Sequence, residues 1–185
     1  MHRIKKSSFI CLLFAMIFGA AGVSLGWESS GCGGCGGSYF EKCVDRFTNK
    51  VDSFSGWGKT FSQGCGTCQE DYYKSSASGG NENSRVDSTD IHFRNCHCGK
   101  SWDSDWGKSL SSIPVNGADL VPSEAQRAWG NRDLEWIAFK CCKLLRDDSK
   151  VYWYTTFDGL HLMLGFKTNS YGAVNFGRKW AKKMK

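Results

Sequence analysis

The chain has 185 residues, with 24 Lys and Arg against 18 Asp and Glu, 22 glycines and ten cysteines. That length and an ordinary apolar content suit one domain with its own core and argue against several domains or a disordered chain. The formal charge of +6 is too mild to call for a nucleic-acid partner.

Arg3, Lys5 and Lys6 precede the apolar run Phe9 to Val23, and Ser24 and Gly26 offer small residues for cleavage. This pattern predicts a signal peptide over 1–26, hence a secreted or periplasmic protein with no stable membrane span after cleavage. Cleavage would leave 21 Lys and Arg against 18 Asp and Glu and lower the formal charge to +3. Residues 27–185 then read as a single cysteine-rich domain.

Gly31 to Ser38 is a glycine-rich lead-in, and apolar positions 40, 43, 44, 47 and 51 have the spacing of a helix over Tyr39 to Val51. A loop-rich stretch carries Trp57, Cys65 and Cys68, and the polar run 74–88 predicts an exposed, mobile loop. Asp90 to Asn95 reads as a short strand, and a Ser/Trp/Gly-rich loop follows. Ser123 is set to cap a short helix with Glu124 and Gln126 behind it. The apolar run Leu134 to Cys142 predicts a buried parallel strand. Val151 to Leu164 predicts a helix against the sheet and Gly165 to Ser170 the next strand, a parallel crossover. The tail from Phe176 sets Arg178, Lys179, Lys182, Lys183 and Lys185 around Phe176, Trp180 and Met184, as in an amphipathic terminal helix.

The paired spacings Cys32-x-x-Cys35 and Cys65-x-x-Cys68 allow two readings. Four thiolates can surround a tetrahedral zinc, whereas export favours structural disulfides and no cofactor. Beyond the leader nine cysteines remain, an odd number, so at least one thiol stays free, pairs with another chain or binds metal. Trp57-Gly58-Lys59-Thr60 and Trp106-Gly107-Lys108-Ser109 hint at phosphate loops, but the glycine needed five residues before each Gly-Lys is Ser53 and Trp102.

His97 and Cys142 are the candidate catalytic pair. Each follows a predicted strand, and open parallel sheets place functional groups outside their carboxyl ends. An imidazole there can deprotonate the thiol for attack on a carbonyl. Strand alternation puts His97 and Cys142 on one side, and Cys96, Cys98 and Cys141 on the other as disulfide or metal candidates. His161 is read as a packed core histidine, His92 is given no role, and Asp133 and Glu135 are read as edge charges.

Trp129-Gly130, Asp133-Leu134-Glu135-Trp136-Ile137-Ala138, Cys142 and the run Phe157 to Phe166 resemble a family of uncharacterised secreted domains similar to the caspase-like fold. The resemblance is good over 127–172, fair over 87–100 and faint upstream. It implies an α/β sandwich with a mostly parallel sheet and helices on both faces. It further implies a histidine turn after one strand and a nucleophilic cysteine ending the next, as in gingipain-like and caspase-like peptidases. Carried over, His97 matches the catalytic histidine and Cys142 the nucleophile, with the Cys142 amide an oxyanion donor. The usual His-Gly is altered here, because Cys98 stands between His97 and Gly99. Such folds usually continue past the Gly165 strand by more than one helix, so the chain reads as a truncated or degenerate member. The expectations are a cysteine hydrolase acting on peptide or protein, a non-catalytic disulfide-stapled scaffold, or a cysteine-ligated zinc domain.

Overall fold

The computed structural model describes residues 26–184. The predicted leader therefore lies outside the described residues, apart from Gly26. Five parallel strands, β1 (Trp27–Gly33), β2 (Trp57–Gln63), β3 (Ile91–Asn95), β7 (Trp136–Lys140) and β8 (Leu162–Leu164), form one sheet in the order β2-β1-β3-β7-β8. A second, antiparallel sheet consists of β4 (Gly99–Asp103), β5 (Lys108–Val115) and β6 (Ala118–Leu120). The helices are α1 (Ser38–Asp52), the one-turn α2 (Lys150–Trp153) and α3 (Phe176–Ala181). The α/β architecture with a mostly parallel sheet agrees with the sequence reading.

Helices α1 and α3 cover one face of the large sheet. Cys43, Val44, Phe47 and Val51 of α1 pack on Ile91, Phe93 and Ala138, and Trp180 of α3 stacks on Phe47 at 4.9 Å. This close approach explains the start of the glycine-rich lead-in, where Gly31 to Gly33 end strand β1. A Cβ on Gly33 would stand 2.7 Å from the Glu41 Cα, so only glycine lets α1 lie that near the strand. The opposite face carries the larger core, including Tyr73, Val86, Trp129, Leu134, Phe139 and Trp153, under short helical turns, α2 and the small sheet.

Several boundaries differ from expectation for identifiable reasons. The run 74–88 is exposed only in part: Ser76 to Gly79 and Ser84 face solvent, whereas three 3-10 turns shape the segment and Glu82, Val86 and Asp87 are buried. Its polar side chains serve backbone amides. The Asp87 carboxylate accepts from Gly130, Arg132 and Leu134 at 2.7–3.2 Å, and Glu82 accepts from the Ser76 amide. Residues 57–63, read as loop, are edge strand β2. The supposed helix 151–164 is one turn of α-helix and a 3-10 turn, and the strand that follows is Leu162–Leu164. Residues 165–170 instead run back along 143–145, with Lys143 N–H donating to Thr168 O and Leu145 N–H to Phe166 O. Ser123 does not cap a helix. It lies inside the 3-10 turn Pro122–Ala125, where the Glu124 carboxylate accepts from the Val121 amide at 3.0 Å.

Trp129 and its neighbours join the two halves of the second face. Gly130 and Gly159, both at positive φ, cross backbone to backbone, so that a Cβ on Gly159 would collide with the Gly130 carbonyl. The indole of Trp129 donates to Tyr73 O at 3.1 Å and stacks on Trp153 at 6.0 Å.

Two buried groups give the fold its acid response. Burial holds the His92 imidazole down at about 3 in the folded protein, against 6.5 unfolded, so unfolding takes up a proton as pH falls from 6.5. Burial pushes the Asp87 carboxyl the other way, to about 6 against 3.8, although three amides favour its charge. Asp87 therefore favours the folded state increasingly between about 6 and 3.8, which offsets part of the His92 loss. Denaturant unfolding of the wild type is expected to show stability falling towards pH 3, and His92→Gln a shallower fall. Asp87→Ala, which orphans three amides, is expected to cost about 3 kcal/mol at neutral pH, more than Asp87→Asn, which keeps one acceptor oxygen.

Candidate functional site at the carboxyl edge of the sheet

Strands β3 and β7 are parallel neighbours whose last register pair is Asn95 with Lys140. The Cys96 amide donates to Lys140 O at 3.3 Å and carries the pairing one step further. His97 and Cys142 thus each stand two residues past that last pair, on strands that neighbours in a sheet hold about 4.8 Å apart. Asn95 prolongs the order from β3 into α1, since its Nδ2 donates to Phe40 O at 3.2 Å.

Cys142 is half-buried and outside any disulfide. Its Sγ accepts from the Ser170 amide at 3.3 Å and lies 3.5 Å from Ser170 O, so the chain after β8 forms one wall of the site. The next residue, Lys143, has a left-handed φ of 58°, a tight bend that leaves the Cys142 amide without an acceptor among the described residues. Tyr39 stands in the first turn of α1. Burial and then the nearby Cys142 raise its phenol pKa, and Gly172 closes over its ring.

His97 is exposed. Its ring meets the edge of Phe40 at 4.8 Å and lies over Gly36, whose φ of 114° admits no ordinary side chain. Phe40 in turn contacts Tyr39, with ring centroids 3.9 Å apart. No hydrogen bond joins His97 to Cys142 among the described residues. Sequence reasoning missed Tyr39 and Ser170, which are distant from Cys142 along the chain and carry no spacing signal of their own.

The remaining cysteines are placed as follows. The two Cys-x-x-Cys pairs cross-link one another, Cys32 with Cys68 and Cys35 with Cys65, at Cα separations of 5.9 and 4.6 Å. Cys98 is bonded to Cys141, with Cα atoms 5.2 Å apart, and Cys96 lies beside them. These three sulfurs fall together. Cys43 is a buried free thiol that accepts from the Gly177 amide, and burial pushes its pKa up.

A family model described as a domain of unknown function, DUF6345, matches residues 30–185. The chain belongs to that family. Neither the curated proteins nor the solved structures gave a match. The matched span contains all nine cysteines beyond the leader as well as His97, Tyr39 and Ser170, so the family covers the whole carboxyl edge.

The other sequence candidates lie elsewhere. His161 is not a core histidine: it is exposed and its Nδ1 pairs with Glu135, because strand β8 begins one residue later and turns it outward. Asp133 is exposed, near the sheet's opposite end. His92, given no role from sequence, is fully buried between Ser30 and Tyr73, each 2.8 Å from a ring nitrogen. An open apolar groove of 300 Å³, lined among others by Trp57, Trp136 and Leu162, flanks α3 and includes neither His97 nor Cys142. No helix among the described residues is long and apolar enough to cross a membrane.

The pairing is expected to govern stability as well as mapping. Non-reducing peptide maps should give Cys32–Cys68, Cys35–Cys65 and Cys98–Cys141, and Cys35→Ser with Cys65→Ser should lower unfolding stability by about 2 kcal/mol, because the enclosing Cys32–Cys68 bridge remains and only the short ring between the two bridges is opened.

Proposed function

We propose that this chain is an exported cysteine hydrolase of caspase-like type, acting on a peptide or protein. One observation carries the reading: Cys142 is a half-buried sulfur left out of the disulfides, at the end of a strand whose parallel neighbour ends in His97. The strand order β2-β1-β3-β7-β8 supports it, since histidine and cysteine then follow adjacent central strands as the resemblance implies. The disulfides support the export that the leader pattern predicts.

In this mechanism the His97 imidazole swings from Phe40 towards Cys142 when substrate enters and takes the thiol proton. Contacts of this kind are commonly loose before substrate binds. The thiolate attacks the scissile carbonyl, and the unengaged Cys142 amide donates to the oxyanion that forms. His97 returns the proton to the leaving amine, and water then cleaves the acyl-enzyme. Hydrolysis by this route uses no metal or organic cofactor. Ser170 and Tyr39 position the sulfur, and Gly36 leaves the imidazole room to move.

A second reading, a non-catalytic scaffold, draws on the present contacts of the pair: Cys142 engages the Ser170 backbone and His97 rests on Phe40. Labelling of the native protein with a peptide-like carbonyl electrophile separates the two. The hydrolase is expected to be modified first at Cys142, with the rate falling about 100-fold or more in His97→Ala. Equal rates in the variant, or an unreactive Cys142, would leave the scaffold.

A further inference from the structure

The Cys98–Cys141 disulfide has a third sulfur beside it. Cys96, Cys98 and Cys141 place their Sγ atoms within 4.8 Å of one another, and the Cys96 Sγ is 4.0 Å from that of Cys98. Cys96 and Cys141 are buried, whereas Cys98 is half-buried, so solvent reaches the cluster through Cys98.

The charges around Cys96 are as unusual as the sulfurs. Arg94 and Lys140 are 1% and 3% exposed, and among the described residues neither lies within ion-pair distance of a carboxylate. Arg94 donates to Cys68 Sγ at 2.8 Å and Tyr73 Oη at 3.2 Å, and also to Pro114 O, but its Nε has no partner. A guanidinium stays charged when buried, and burial of an uncompensated charge is costly unless an anion can form beside it. Burial pushes the Cys96 thiol up and neighbouring Cys142 adds to this, while Arg94 and then Lys140 draw it down. The net direction is upward, so the thiol is held protonated at rest, and Arg94 and Lys140 are the cations that face it when it gives up its proton.

We propose that Cys96, Cys98 and Cys141 form a thiol–disulfide exchange centre that reacts with low-molecular-weight thiols. The incoming thiol loses its proton and attacks Cys98 Sγ; the bond to Cys141 breaks, and Cys141 leaves as a thiolate that takes up a proton. Cys96 then loses its proton and attacks the same Cys98 sulfur, which expels the small thiol and returns its proton. The net change moves the disulfide from Cys98–Cys141 to Cys96–Cys98, and no electrons are gained or lost. The cross-link between the ends of β3 and β7 is exchanged for a local one, and Cys141 emerges as a free thiol next to Cys142. The proposal stands apart from hydrolysis at Cys142.

The test incubates the folded, oxidised protein with reduced glutathione, quenches with acid, alkylates free thiols and maps the peptides without reduction. Wild type is expected to accumulate Cys96–Cys98 and alkylated Cys141. In Cys96→Ser the resolving sulfur is gone, so glutathione is expected to remain on Cys98 as a mixed disulfide; Cys96→Ala serves if that variant folds poorly. Persistence of Cys98–Cys141 alone in wild type would overturn the proposal, as would a mixed disulfide that builds up equally with and without Cys96. Cys142→Ser is expected to exchange like wild type, and loss of exchange there would name Cys142 as the resolving thiol and sink the assignment to Cys96.

Discussion

Strand β3 is buried at all five of its positions, yet His92, Arg94 and Asn95 are polar. Buried polar groups without partners cost more than the fold can spare, so the elements around β3 are arranged to supply them. Arg94 can only donate, and Thr89 gives its hydroxyl hydrogen to the Val86 carbonyl; the two ends together set a direction for neutral His92. Arg94 donates to the Tyr73 oxygen, Tyr73 donates to His92 Nε2, His92 Nδ1 donates to Ser30 Oγ, and Ser30 donates to Thr89 Oγ1. Asn95 donates to the α1 backbone and accepts from Lys140. Through β3, therefore, the folded segment around Tyr73, strand β1, helix α1 and strand β7 are held in one register, and the positions of His97 and Cys142 follow from it.

The cysteines reinforce the same end of the sheet. Cys32 lies one residue before the end of β1, Cys35 and Cys65 follow β1 and β2, and Cys98 and Cys141 follow β3 and β7. Each disulfide thus closes over the carboxyl edge, where the last backbone pairs would otherwise fray. The amino edge is held differently, by Trp27 stacked between Trp57 and Trp136 at 5.6 and 5.7 Å. Covalent ties at the carboxyl edge and aromatic packing at the other divide the stabilisation of a sheet whose strands are short.

The two faces are built by different means. Helix α1 can lie close because β1 presents glycines, and α3 completes that face with Trp180. The second face has no long helix, and its backbone amides in the turns around Asp87 and Glu82 would be unsatisfied without those two buried carboxylates. The polarity of residues 74–88 thus reflects internal hydrogen bonding at Glu82 and Asp87 as well as exposure at 76–79. That is why composition, which responds to polarity alone, points to solvent there.

Local pattern determined a good part of this molecule. The 3.6-residue spacing over 40–51 places α1, and the short run 90–95 and the apolar run 134–142 place the central strands. These features depend on which side of an element faces the core, which a sequence records directly. The glycine-rich β1, the edge strand β2 with its exposed side chains and the small antiparallel sheet lack that signature, because glycine contributes no side chain and an edge strand buries little. Which cysteines pair, that Cys142 is spared, and that Tyr39 and Ser170 flank it were decided only by tertiary structure. Each of these joins residues far apart in the chain, through contacts that exist only once the parallel strands have brought their ends together.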